Sequence, residues 1–102
     1  MSLAAANARL LMLSQQRTDT TKMQNISSDT LNKLKDKMAA EEKKGGDTSK
    51  VQSEYNKEQI NLDDLNAQMA KIDAEYNAMQ SQLDSLKSNI DSNVEKSYQY
   101  LG

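Results

Sequence analysis

The stretch Leu62-Asp-Asp-Leu-Asn-Ala-Gln-Met-Ala-Lys-Ile-Asp-Ala-Glu-Tyr-Asn-Ala-Met-Gln-Ser-Gln-Leu-Asp-Ser-Leu-Lys-Ser-Asn-Ile90 decides the fold. Its apolar residues fall at Leu62, Leu65, Met69, Ile72, Tyr76, Met79, Leu83, Leu86 and Ile90, in steps that alternate three and four without a miss. That spacing keeps one face of a helix apolar over about four heptads, the length at which a coiled-coil seam becomes a firm expectation. The flanking positions are Asn66, Gln68, Asp73, Glu75, Gln80, Gln82, Lys87 and Asn89. They encode no set of complementary ion pairs between parallel copies, so a parallel zipper is poorly specified. The seam needs another partner.

The rest of the chain supplies one. Leu3, Ala6, Leu10 and Leu13 step three, four, three, with Ala4, Ala5 and Ala8 raising helix propensity. Leu11 and Met12 widen that apolar face. Leu31, Leu34 and Met38 resume the same pattern further on. Between them, residues 14–30 hold only Met23 and Ile26 as clear apolar residues; with no Gly or Pro to interrupt it the run still reads as helix, and Ser27-Ser28-Asp29 is the place where a fault would fall. Gly45-Gly46 suits a helix C-terminus, preceded by Lys43 and Lys44, where the helix dipole favours cations. Ser49-Lys-Val-Gln52 reads as a capping box opening a second helix, with Asp47 close by.

A short connection between long helices makes them antiparallel neighbours. The fold class expected is therefore all-α, a single domain spanning 1–102. It is a long antiparallel helical hairpin with helix 1 at about 3–40, a Gly-Gly turn at 41–49 and helix 2 at about 50–100. Folding at the turn sets Leu3 opposite Ile90, Ala6 opposite Leu86, Leu10 opposite Leu83, Leu13 opposite Met79, Leu31 opposite Leu62 and Met38 opposite Tyr55. In the middle, Arg17, Thr20 and Ser27 face Tyr76, Ile72 and Leu65. One helix offers a continuous seam there and the other answers with polar groups. The expectation is an under-covered strip around Leu65, Ile72 and Tyr76, to be filled by a second copy or another helical protein.

After Ile90 the phase changes, with apolar residues at Val94, Tyr98 and Leu101. Such a stutter locally unwinds a left-handed supercoil. This segment runs past Leu3 and is a candidate docking tail. The residues expected to carry interactions are thus Leu65, Ile72 and Tyr76 in the middle, Leu3, Leu10 and Leu13 at one end, and Val94, Tyr98 and Leu101 at the other.

Composition narrows the function classes. His and Cys are absent, which removes the common catalytic triads, thiol nucleophiles and zinc sites. Asp63 and Asp64 are adjacent on a helix, point in different directions and make no cation site. Gly45-Gly46 lacks the strand and spacing of a phosphate loop. No enzyme, cofactor or metal is expected. Lys33, Lys35, Lys37, Lys43 and Lys44 are interleaved with Asp36, Glu41 and Glu42 and have no aromatic company, so nucleic acid is not an expected partner. The Leu3–Leu13 segment has only Arg9 as a positive charge, which argues against a membrane surface.

Residues 1–50 carry nine basic against six acidic side chains, and residues 51–102 carry four against nine. Opposite signs in the two halves favour folding back or association of copies. The amino-terminal residues do not read as a cleavable signal, since the n-region lacks positive charge and the small residues precede the apolar run instead of following it. The protein is expected in the cytoplasm, or exported without a cleaved signal.

The terminal segments Leu3–Leu13 and Val94–Leu101, flanking a turn-centred hairpin, resemble the terminal helices of type III needle and flagellin-type subunits. The needle family's proline-containing turn is replaced here by Gly45-Gly46, and the Trp-x-Gly turn of small secreted helical hairpins is missing as well. The resemblance implies a self-assembling structural subunit of a filament or secretion-type assembly. The competing expectation is a cytoplasmic coiled-coil adaptor or chaperone that holds a partner helix.

Overall fold

A computed structural model describes residues 1–101, with side-chain surroundings through residue 96. Two α-helices, α1 (Leu3–Lys43) and α2 (Ser49–Leu101), pack against each other as an antiparallel helical hairpin. Among the described residues there is no strand.

Ser2 starts α1. Its Oγ accepts the Ala5 backbone N–H at 3.1 Å, filling one of the donors that the first helical turn leaves open. α1 runs unbroken through residues 14–30, as expected, and Ser27-Ser28-Asp29, its weakest point in the sequence, stays helical. Here Thr30 turns its hydroxyl back to donate to the Ile26 carbonyl at 2.9 Å, a bond a Thr makes without leaving the helix.

The helix ends in a Schellman closure. The Gly46 N–H donates to the Glu41 carbonyl at 2.9 Å and the Gly45 N–H to the Glu42 carbonyl at 3.0 Å. Gly45 has φ +68°, a left-handed conformation that a side chain resists.

The expected capping box at Ser49 is replaced by a start one residue earlier. The Gln52 N–H donates to the Thr48 carbonyl at 2.9 Å, as the first bond of α2. The Ser49 N–H instead donates to Asp47 Oδ1 at 2.9 Å. Aspartate, two residues back, is well placed to take that donor in a side-chain-closed turn. The connection is therefore 44–48, shorter than the sequence implies.

Burial along α1 follows the seven-residue period. Ala6, Leu13, Thr20 and Ser27 are each buried, although two of them are polar. Leu3, Leu10, Arg17 and Gln24 are half-buried between them. On α2, Val51, Leu65 and Leu83 are buried and the remaining seam residues from Tyr55 to Leu86 are half-buried. Ile90, expected opposite Leu3, is exposed, since α1 begins only at Leu3 and offers no further turn to cover it.

The chain divides into two compact units. One comprises Met1–Arg17 with Ile72–Gly102, the other Thr18–Lys71. In the first, Leu13 is fully buried, and Arg9 pairs with Glu75 at 3.0 Å. In the second, Leu31, Leu65 and Val51 are the buried apolar residues, and Gln24 Nε2 donates to Asn66 Oδ1 at 2.9 Å. The antiparallel register expected from the turn places Gln24 and Asn66 at neighbouring heights, as this bond requires.

Candidate functional site

The middle of α1 carries the features of interest. Its heptad phase is fixed on both sides, by Ala6–Leu13 before it and Leu31–Leu34 after it. A continuous helix cannot rotate between them, so the seam positions fall on Arg17, Thr20, Gln24 and Ser27. Met23 and Ile26 each precede a seam position by one residue. They are turned outward, 57% and 65% exposed. The apolar and polar residues of this segment have, in effect, exchanged places relative to an ordinary amphipathic helix.

Around Ser27 this produces a shallow groove within the Thr18–Lys71 unit. Met23, Ile26, Ser27, Glu58, Asn61 and Leu65 line about 170 Å³ of space. Ser27 is 1% exposed, and its Oγ has no hydrogen-bond partner among the described residues. An unpartnered buried hydroxyl is costly, and native interiors hold few of them. The groove is thus apolar at its rim on α1, polar at its rim on α2, and has an unsatisfied polar atom in its wall.

Arg17 is handled differently. Its Nε donates to Asp73 Oδ1 at 2.9 Å, and its Nη2 lies 2.8 Å from the same oxygen. The guanidinium also sits 4.4 Å from the centroid of the Tyr76 ring. A seam position that sequence leaves charged is covered by laying a planar cation over an aromatic face. A second hollow, about 400 Å³ and in the unit of Met1–Arg17 with Ile72–Gly102, is lined by Arg9, Glu75, Ala78, Met79 and Gln82. Arg9 and Glu75 already satisfy each other there.

The structure redistributes the residues expected to carry interactions. Leu65 is 6% exposed and so is not an open strip. It is buried although the opposing Ser27 is small, and the two together line the wall of the groove. Tyr76 and Ile72 are half-buried, Tyr76 under Arg17. Leu13 is fully buried, while Leu3 and Leu10 are half-buried. Val94 is exposed. Tyr98 and Leu101 lie outside the residues whose side chains are described.

The groove brings together residues that are separate signals in the sequence. Met23 and Ile26 are the only clear apolar residues of 14–30, and Ser27 is a polar seam position. The signal that joins them is phase. Once the seam is carried unbroken through α1, two apolar residues have no inward position to occupy.

Among the described residues no group of three acidic, histidine or cysteine side chains could hold a metal ion, and no helix is long and apolar enough to cross a membrane. No protein-family model matches the chain, and no curated protein or solved structure does either.

Proposed function

We propose that this chain is a non-enzymatic, self-assembling helical-hairpin subunit of a filament or secretion-type assembly. The observation that carries the reading is the outward placement of bulky apolar side chains. Leu11, Met12, Met23, Ile26, Ile60 and Val94 are all at least half exposed, against four buried leucines. Single exposed apolar residues are ordinary, but exposure on this scale beside so thin a core is the mark of a surface that another chain covers. Burying one such side chain contributes about 1.5–3 kcal/mol, so a few of them per interface suffice to drive association. Charge supports the same reading, because α1 is net basic and α2 net acidic, which favours lateral contact between copies.

The groove at Ser27 favours a second reading, an adaptor or chaperone that seats a partner helix beside Met23 and Ile26. Light scattering with negative-stain microscopy of the purified protein separates the two. Ordered polymers are the expected result. Small discrete particles that take up an added helical client support the adaptor instead. A folded monomer at tens of micromolar overturns self-assembly.

A further inference from the structure

One face of α1 in the Thr18–Lys71 unit carries an apolar centre with opposite charges at equal distances on either side, so that the reversed pattern is its complement. Asp19, Ile26 and Lys33 lie seven residues apart and all three are exposed. Seven residues fall only about 20° short of two full turns, so the three side chains share one face. At 1.5 Å per residue, Asp19 and Lys33 stand about 10.5 Å to either side of Ile26. Met23, one turn from Ile26, widens the apolar centre and borders the groove that holds the unpartnered Ser27 hydroxyl.

We infer that a second copy of this chain docks on this face across a two-fold axis at Ile26. This deepens the self-assembly proposed above and rests on it. An antiparallel copy centred there sets Ile26 against Ile26 of the second copy. Each Met23 then lies about 4.5 Å along the axis from the Ile26 pair, level with Asp29 of the other copy. Asp19 of each copy meets Lys33 of the other, and symmetry makes that pair twice.

A parallel copy in the same place would set Asp19 against Asp19 and Lys33 against Lys33. The charge pattern therefore selects the antiparallel orientation as well as the position. The contact closes on itself, so it makes a dimer and no more. Any polymer must grow from that dimer through another surface.

Sedimentation velocity on the full chain, over micromolar to hundred-micromolar concentration, tests the inference. Asp19→Lys alone and Lys33→Asp alone each create two like-charge contacts and should weaken the dimer by about tenfold or more. The double swap Asp19→Lys/Lys33→Asp should recover it, since the pairs are restored with reversed sign.

The native chain has no cysteine, so a single one reports cleanly. Ile26→Cys should form a disulfide-linked dimer on mild oxidation, because the axis brings the two substituted positions together. Ile60→Cys, at an equally exposed position of α2, should not. Circular dichroism is expected to be unchanged for all five variants, as each site is exposed.

If the wild type associates but the double swap is no better than the single ones, or Ile26→Cys fails to cross-link, the two-fold contact is wrong and self-assembly by another face stands. If the wild type is a monomer throughout, both proposals fall.

Discussion

Arg17 and Tyr76 meet across the two helices, with the guanidinium carbon over the ring and 4.4 Å from its centroid. Asp73, three residues before Tyr76, holds the guanidinium in that place through a shared carboxylate oxygen. A long cation at a seam position would otherwise leave the ring uncovered or turn the charge inward. The arrangement covers the ring with the guanidinium and leaves its N–H groups to the carboxylate and water.

Arg17→Ala should therefore cost about 1–2 kcal/mol in urea unfolding, the sum of a partly exposed ion pair and a stacked cation. Arg9→Ala removes an ion pair of similar exposure to Glu75 with no ring beneath it, and should cost about 0–1 kcal/mol. Arg17→Lys should recover less than half of the loss, because an ammonium group lacks the planar face. Equal losses for Arg17→Ala and Arg9→Ala would show that the ring contact contributes nothing.

Ser27→Ala should stabilise the hairpin by about 1–2 kcal/mol. It removes a buried hydroxyl without a partner and substitutes a better helix former of nearly the same volume. Thr30, whose hydroxyl reaches the Ile26 carbonyl in the exposed part of the same helix, provides the contrast. Thr30→Ala should change stability by about 0.5 kcal/mol or less. Urea midpoints of the two variants decide the matter, and a destabilised Ser27→Ala would mean that the hydroxyl is satisfied in solution.

Gly45→Ala should cost about 1 kcal/mol, although an added methyl group would meet no atom within 4 Å. The loss is conformational, since the position sits at positive φ. A methyl group on Gly46 would come 2.6 Å from Glu41 Oε2, the free end of a flexible side chain that can swing aside. Gly46→Ala should accordingly cost less than Gly45→Ala, an order opposite to the one that steric crowding alone would give. Thermal melts of the two variants read it directly.

Hydrogen bonds from the Ser49 backbone, and then from its hydroxyl, hold the Asp47 carboxyl below its ordinary value. A carboxylate favoured in the folded state stabilises that state above the ordinary carboxylate range, and the contribution fades as pH falls through that range and the lowered folded value. Asp47→Ala should lower the melting temperature at about pH 7, and its gap from the wild type should close towards about pH 2. A gap that persists in acid would place the effect of Asp47 in something other than its charge.

The α2 seam and both ends of α1 were legible in the sequence because an apolar residue stands at nearly every heptad position there. The turn was legible through Gly45, whose conformation few other residues adopt. The register was legible too, since Arg17, Thr20 and Ser27 fall on the seam where the turn sets them.

The coverage of that seam was not. A polar residue opposite Leu65 or Tyr76 suggested an open strip, yet a small serine is buried by its larger neighbour and an arginine can lie flat over a ring. Those outcomes depend on side-chain shape and reach, which spacing alone does not encode. The start of α2 shifted for a similar reason. Asp47 and Ser49 can both serve at a helix start, and only the backbone path decides that Asp47 takes the Ser49 donor.

The three-four spacing of seam positions, kept along α1 and along α2 as far as Ile90, gives this hairpin a natural unit of length. Residues 31–37 and 55–61 are matching heptads on the two arms, one on each side of the turn. Removing either alone would bring every later residue of that arm against the wrong neighbour, while removing both would return each residue on the far side to its old partner. The hairpin can therefore be shortened or lengthened in paired sevens without rewriting the remainder. Chains related to it by common descent are to be sought among hairpins whose arms differ by whole heptads, more than by resemblance letter for letter.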